Sequence, residues 1–99
     1  MRRQSVDAVT LTFEPERVVY DPDEDVVRFL ANEGPILIRC AISKPALAEL
    51  EQHSITDSDA MMNAYRRNRE LIRHIAERKY REHRYEIGRV VVRLQDLAA

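Results

Sequence analysis

The 99-residue sequence predicts an α+β fold: a small antiparallel sheet of three to four strands, with a short and a long helix packed on one face. Two observations carry this prediction. Apolar and polar residues alternate within residues 8–42 and again within 89–94, which is the two-residue period of strands. Between them, over residues 44–84, the apolar spacing changes to the 3.6-residue period of a helix. The order of elements is therefore β-β-β-α-α-β.

The strands begin with two short runs. Ala8–Phe13 alternates and ends near Pro15, and Arg17–Tyr20 is a second β-rich segment. The acidic segment 21–25 follows as a turn, because Asp and Pro favour turn dihedrals.

The clearest strand pair is a hairpin. Asp25–Ala31 and Ile36–Ile42 are alternating and rich in β-branched residues, and they flank a predicted four-residue loop at 32–35. The better apolar face consists of Val27, Phe29, Ala31, Ile36, Ile38, Cys40 and Ile42. This face is expected to lie on the core.

Two helices follow the hairpin. Ser43 is a good N-cap for a helix from Lys44 to about Gln52, and Thr56 or Asp57 caps a long helix that continues to Arg84. The core stripe of the long helix is Met61, Ala64, Tyr65, Leu71, Ile72, Ile75 and Ala76.

Two polar residues fall in the same stripe. Asn68 needs a hydrogen-bond partner or a water, because burying an unpaired amide costs about 1–3 kcal/mol. Lys79 can extend its ammonium group to solvent from the end of the helix. A last strand, Arg89 to Leu94, follows Gly88, which marks an entry turn or a bulge.

Composition is that of an ordinary globular protein, with 44% hydrophobic and 33% charged residues. One domain over residues 1–99 is predicted, with an ordered core of about residues 8–97. No apolar run approaches the ~18 residues that span a bilayer, and the N-terminus lacks the apolar stretch of a secretory signal. Cys40 is the single cysteine, so no intramolecular disulfide can form. A cytoplasmic location without a membrane partner is expected.

The second half of the long helix is strongly basic. Residues 66–84 contain eight Lys/Arg and three Asp/Glu, a net charge of +5 in a chain of net charge −1, whereas residues 1–65 have a net charge of −6. The candidate basic patch is Arg66, Arg69, Arg73, Arg78, Arg81 and Arg84. Such a cluster is the electrostatic signature of phosphate binding. Against it, glutamates at helical spacing neutralise several of these arginines, and no helix-turn-helix or Gly-x-x-Gly loop is present.

The sheet provides a second candidate surface. If Ala31 pairs with Ile36, Arg28 directly opposes Arg39, and facing like charges are destabilising. With helices on one face only, the outward residues form a candidate contact surface: Arg28, Leu30, Leu37, Arg39, Val91 and Arg93. The alternative is that the arginine stems cover the leucines while acidic loop residues pair with the guanidinium groups.

Catalytic motifs are not found. The sequence has no Gly-rich phosphate loop, nucleophile elbow or Cys-x-x-Cys, and the connector 53–57 is expected to be solvated. Cys40 is expected to point inward as a small hydrophobic residue. Glu70, His74 and Glu77 share one helix face, which fits a salt-bridged surface better than a metal site. No cofactor and no enzymatic activity are expected.

Residues from most of these elements together resemble a known family. They are Leu11-Thr12-Phe13, Tyr20-Asp21, Val27-Arg28-Phe29, Ile38 to Ser43, Ala46-Leu47, Asn68-Arg69, Ile72, Ile75-Ala76 and Lys79-Tyr80. From about Leu11 to Leu97 the chain is similar to domain-of-unknown-function family 1488. The resemblance implies a small α+β domain in the bacterial cytoplasm and no assigned activity, cofactor or partner. We therefore expect a protein-interaction module that self-associates or binds another protein. The alternative is a weak nucleic-acid binder that uses the basic patch.

Overall fold

The computed structural model describes residues 11–98, so the predicted strand residues Ala8, Val9 and Thr10 lie outside the described part. The elements in chain order are β1 (Thr12–Phe13), β2 (Val19–Asp21), β3 (Val26–Glu33), β4 (Ile36–Ser43), α1 (Lys44–Glu51), α2 (Ser58–Arg67), α3 (Arg69–Arg81), β5 (Val90–Val92) and a 3-10 helix (Leu94–Ala98). The predicted α+β class is confirmed, as is the order of strands, helices and a final strand. None of the helices among the described residues is long and apolar enough to cross a bilayer.

The sheet has five strands and is mixed. Both β1 and β2 pair antiparallel with β3, which pairs antiparallel with β4, and β5 pairs parallel with β4. The predictions of three to four strands and of antiparallel pairing throughout are therefore wrong in detail. The helices between β4 and β5 form a crossover connection, and such a connection allows the last strand to run parallel to its neighbour.

The turn between β3 and β4 is tighter than the predicted four-residue loop. Glu33 pairs with Ile36, which leaves only Gly34 and Pro35 in the loop. Gly34 has a φ of 58°, a left-handed value that glycine adopts without a Cβ penalty. Pairing thus extends further along both strands and satisfies more backbone groups.

The tighter turn changes the register by two residues. Arg28 lies opposite Ala41, and Leu30 lies opposite Arg39. The predicted direct opposition of Arg28 and Arg39 is wrong. The two guanidinium groups are offset along the strands, so the cost of facing like charges is reduced.

The predicted long helix is two helices that meet at Asn68. Asp57 caps α2, because its carboxylate accepts a hydrogen bond from the Ala60 N–H at 2.8 Å. At the junction the Asn68 side-chain Nδ2 donates to the Ala64 carbonyl and to Glu51 Oε2, both at 2.8 Å. A side chain bonded to the carbonyl four residues earlier competes with regular helix. The expectation that Asn68 finds a partner is confirmed, and the single uninterrupted helix is wrong.

The core lies between the helices and one face of the sheet. Phe29 lies between Phe13 and Tyr65, with ring centroids 6.1 Å and 5.2 Å away. Two predicted core residues are instead exposed. Leu71 is 47% exposed because the buried face of α3 starts at the next residue, and Ile36 is 55% exposed because it stands beside the turn.

A buried ion pair fastens the end of α3. Lys79 Nζ donates to Asp96 Oδ2 and to the Val91 carbonyl, both at 2.7 Å. Asp96 also accepts from the Arg93 N–H at 2.7 Å and from Arg84 Nη2 at 3.2 Å. The side chains of Lys79 and Asp96 are only 6% and 1% exposed, so the expectation that Lys79 reaches solvent is wrong. Its ammonium turns inward and joins α3, β5 and the 3-10 helix.

Candidate binding face on the open side of the sheet

The sheet face turned away from the helices carries a cleft of about 600 Å³. Its lining is Arg17, Val19, Arg28, Phe29, Leu30, Arg39, Cys40 and Arg89. The pleat of β3 explains why these residues meet. Phe29 and Ala31 enter the core, so the residues between and before them, Leu30 and Arg28, point to the open side.

The strand registers bring arginines from three parts of the chain together. Leu30 pairs with Arg39 on the neighbouring strand. Val90 pairs with Cys40 in the parallel ladder, so the preceding residue, Arg89, lies beside Arg39. Arg17 reaches the cleft from the segment that leads into β2.

The four cleft arginines differ in their pairing. Arg28 Nε lies 3.6 Å and Arg89 Nη2 lies 2.6 Å from a carboxylate oxygen of the acidic turn at 21–25. For Arg17 and Arg39, residues 11–98 provide no carboxylate within salt-bridge distance. Arg39 is also exposed to solvent. The cleft therefore has two guanidinium groups with spare hydrogen-bond donors for an anionic ligand.

Most of the predicted contact surface lies at this cleft. Four of its six residues line or border it: Arg28, Leu30, Leu37 and Arg39. The sequence prediction missed Arg17 and Arg89. Arg17 stands two residues before Val19, and Arg89 two residues before Val91, and both valines are on the open face. Because residues two apart in a strand point to the same face, this spacing could have identified both arginines from the sequence.

The other two predicted contact residues are placed differently. Val91 is 1% exposed and forms a small second cluster with Val26 and Ala41, so it is covered by its own chain. Arg93 lies just beyond β5, where its guanidinium makes two hydrogen bonds to Glu86, at 2.7 Å and 3.1 Å. Neither residue lines the cleft.

The predicted basic patch does not form one free surface. Arg73 lies over the Phe13 ring, with Cζ 5.3 Å from the centroid, and Arg84 is bound to Asp96. The remaining members are exposed or half-buried: Arg66, Arg69 and Arg81 are exposed, and Arg78 is half-buried. Lys79 points into the domain from the end of α3. The arginines before and after it in the sequence therefore do not form one continuous surface.

Possible metal and thiol chemistry has little support in the described part of the chain. Residues 11–98 contain no group of three or more His, Cys, Asp or Glu side chains placed to hold a metal ion. Glu77 instead accepts a hydrogen bond from the Leu11 N–H at 3.3 Å. Cys40 is 2% exposed, and its burial raises the pKa of the thiol to about 12. The thiolate that a nucleophile needs is therefore scarce at neutral pH.

This burial predicts that Cys40 is inert in the folded protein. At pH 7.5 a disulfide thiol probe should modify native Cys40 more than about a hundredfold more slowly than a cysteine placed at Leu37, which is 47% exposed. The comparison uses Leu37→Cys in a Cys40→Ala background and follows probe release by absorbance. Equal rates for the two thiols would contradict the assignment of Cys40 to the core.

The family model described as protein of unknown function (DUF1488) matches residues 11–92. The chain belongs to this family. A crystal structure of a DUF1488-family protein of unknown function from Shewanella loihica PV-4 is similar, with a TM-score of 0.78 and 21% sequence identity. The match covers 85% of this chain and 92% of that chain, and at this identity it supports the fold alone. No curated protein matches the chain. The family and fold expected from the sequence are confirmed.

Proposed function

We propose that this protein is a non-enzymatic binding module, and that its arginine cleft (Arg17, Arg28, Arg39 and Arg89) binds an acidic segment of a partner protein. The observation that carries the proposal is the presence in one cleft of two arginines, Arg17 and Arg39, without a carboxylate partner among residues 11–98. The guanidinium fork matches the geometry of a carboxylate and can bind it through two hydrogen bonds.

The cleft has other features of a protein-binding surface. Val19 is 49% exposed and Leu30 is half-buried, so the arginines stand beside apolar area. Arginine is enriched at the centres of protein interfaces, and energetically important contacts there combine charged groups with apolar contact. A volume of about 600 Å³ is enough for several side chains of an extended segment. These features support a protein partner.

The sequence also predicts self-association, and that stays a prediction. In a symmetric dimer the same patch meets itself. A symmetric contact through the cleft would bring the arginines of two copies together, and opposed like charges are costly at an interface. We therefore assign the cleft to a different chain with carboxylates in an extended segment. A homodimer, if formed, would use another surface.

Fluorescence anisotropy with a labelled Glu/Asp-rich peptide tests the proposal. Arg39→Glu is expected to weaken binding at least about tenfold, because a hydrogen bond to a charged group contributes about 1.5–3 kcal/mol. Raising the salt from 50 to 200 mM should also weaken binding, because exposed charges are screened. A Gln/Asn version of the peptide should not bind.

The matched control is Arg69→Glu, which makes the same charge change on exposed α3. It should alter peptide affinity by less than about twofold, because α3 packs on the core face of the sheet, opposite the face that carries the cleft. Equal losses of peptide affinity in Arg39→Glu and Arg69→Glu would mean that only net charge matters, and this would contradict the cleft proposal. Tighter binding of single-stranded RNA, lost with Arg69→Glu but kept with Arg39→Glu, would favour the nucleic-acid alternative.

A further inference from the structure

The turn that leads into β5 has an unusual residue at its tip. The backbones of Glu86 and Arg89 exchange two hydrogen bonds, at 2.7 Å and 3.1 Å, and enclose Ile87 and Gly88. These two central residues have φ values of 50° and 74°. Positive φ at both positions is the geometry of a type I′ turn, where Asn-Gly is strongly preferred.

Isoleucine is poorly suited to this position. A β-branched residue with positive φ is an outlier, because its Cβ crowds the following carbonyl. Ile87 is also 98% exposed, so its side chain gains no burial that could offset the strain. The folded chain alone gives no reason for an isoleucine here. Residues with strained backbone conformations are concentrated at active sites, ligand contacts and switch regions.

The turn is held in place by ion pairs. The Glu86 carboxylate accepts hydrogen bonds from Arg93 Nη2 at 2.7 Å and from Arg93 Nε at 3.1 Å. Arg89 is bound to Glu24 at 2.6 Å. Ile87 is therefore presented at a fixed position on a short, braced turn.

The tip borders the arginine cleft. Because β5 runs parallel to β4 with Val90 beside Cys40, the turn before Val90 lies toward the Ile36 end of β4. Leu37, on the open face of β4 at that end, is 47% exposed, whereas Ile36 has the core-face parity of Ile38. Two exposed aliphatic residues, Leu37 and Ile87, thus stand at the same end of the cleft. We call Leu37 and Ile87 the apolar rim.

We propose that the apolar rim binds a large apolar side chain of the same partner segment whose carboxylates enter the cleft. This inference rests on the proposed function and narrows the partner to an acidic segment with an aromatic or aliphatic residue beside its carboxylates. Within the rim, Ile87 contributes to binding of the partner and not to the stability of the fold.

The test compares two labelled acidic peptides that differ only in a Phe or a Ser at one position beside the acidic residues. The wild-type protein should bind the Phe peptide about tenfold more tightly, because the ring is removed from water on the rim. Ile87→Asn should abolish this preference and leave the affinity for the Ser peptide within about twofold. The same variant should raise Tm by roughly 4–8 °C, because Asn tolerates the left-handed backbone.

The control is Gln52→Gly at the end of α1, a second residue with left-handed φ, at 63°. It should raise Tm without changing the preference for Phe, because relief of backbone strain alone does not touch the rim. If Ile87→Asn keeps the preference for the Phe peptide or lowers Tm, the role of Ile87 is overturned. The cleft proposal is still supported in that case if binding of the Ser peptide is weakened by Arg39→Glu. If neither peptide binds the wild-type protein, the cleft and the rim fail together.

Discussion

Asp96→Ala is expected to lower the free energy of unfolding by about 3–5 kcal/mol, because it leaves the Lys79 ammonium buried without its counter-charge. Lys79 keeps one partner, the Val91 carbonyl at 2.7 Å, which cannot neutralise it. The Arg93 N–H also loses its acceptor. A loss of this size is a large part of the stability of a domain of 99 residues.

Urea unfolding followed by circular dichroism measures this loss. Glu86→Ala is the matched control, because it breaks the more exposed pair with Arg93, whose side chains are 38% and 39% exposed in the two partners. Such a pair contributes about 0–1 kcal/mol. The double variant Lys79→Met/Asp96→Leu should be more stable than Asp96→Ala, because no unpaired charge stays buried. A cost for Asp96→Ala as small as that for Glu86→Ala would refute the buried pair.

The elements that the sequence predicts well are those set by local patterns. The alternation around Phe29 identifies the inward face of β3, because side chains on successive strand residues point to opposite faces. Ser43 is a correctly predicted N-cap, and of the two predicted alternatives Thr56 and Asp57 the structure has Asp57. Each cap accepts a hydrogen bond from an N–H in the first turn of its helix. These features need no knowledge of distant residues.

The features that the sequence does not predict depend on distant partners. Asp96 lies 17 residues after Lys79 in the sequence, and only the packing of the 3-10 helix on α3 brings the two side chains together. The break at Asn68 likewise depends on Glu51, which arrives from α1. The hairpin register differs by two residues, which keeps every side chain on its predicted face but moves every cross-strand pair.

The candidate site shows the same division. Parity places Arg28, Leu30 and Arg39 on the open face, and the structure agrees. The neighbour relation between Arg39 and Arg89 needs the parallel pairing of β5, which an antiparallel prediction cannot give. Alternation therefore predicts which face a residue occupies, whereas the topology decides which residues form a cleft.

Acid should destabilise the protein strongly, and Asp96 should be the main cause. Burial alone would raise the pKa of Asp96. The hydrogen bonds from Lys79 and the Arg93 N–H, with the positive charges of Lys79 and Arg84, outweigh burial and hold that pKa below its usual value. A carboxylate with a depressed pKa contributes stability above its unfolded pKa of about 4 and loses this contribution as the pH falls. The free energy of unfolding should therefore decrease steadily from about pH 5 downward.

Two other carboxylates add to the acid response. The hydrogen bonds from Arg67 and then Asn68 lower the pKa of Glu51, and the hydrogen bond from Arg93 lowers the pKa of Glu86. Both are less deeply buried than Asp96, so solvent screens their pairs more.

Urea unfolding of the wild type, Asp96→Asn and Glu51→Gln at pH 6 and pH 3 separates these contributions. Asp96→Asn should show the smallest decrease in unfolding free energy between the two pH values, because it lacks the carboxylate that must be protonated inside the fold. A wild-type stability that is equal at pH 6 and pH 3 would contradict the depressed pKa values, and a decrease unaffected by Asp96→Asn would assign the acid response to other groups.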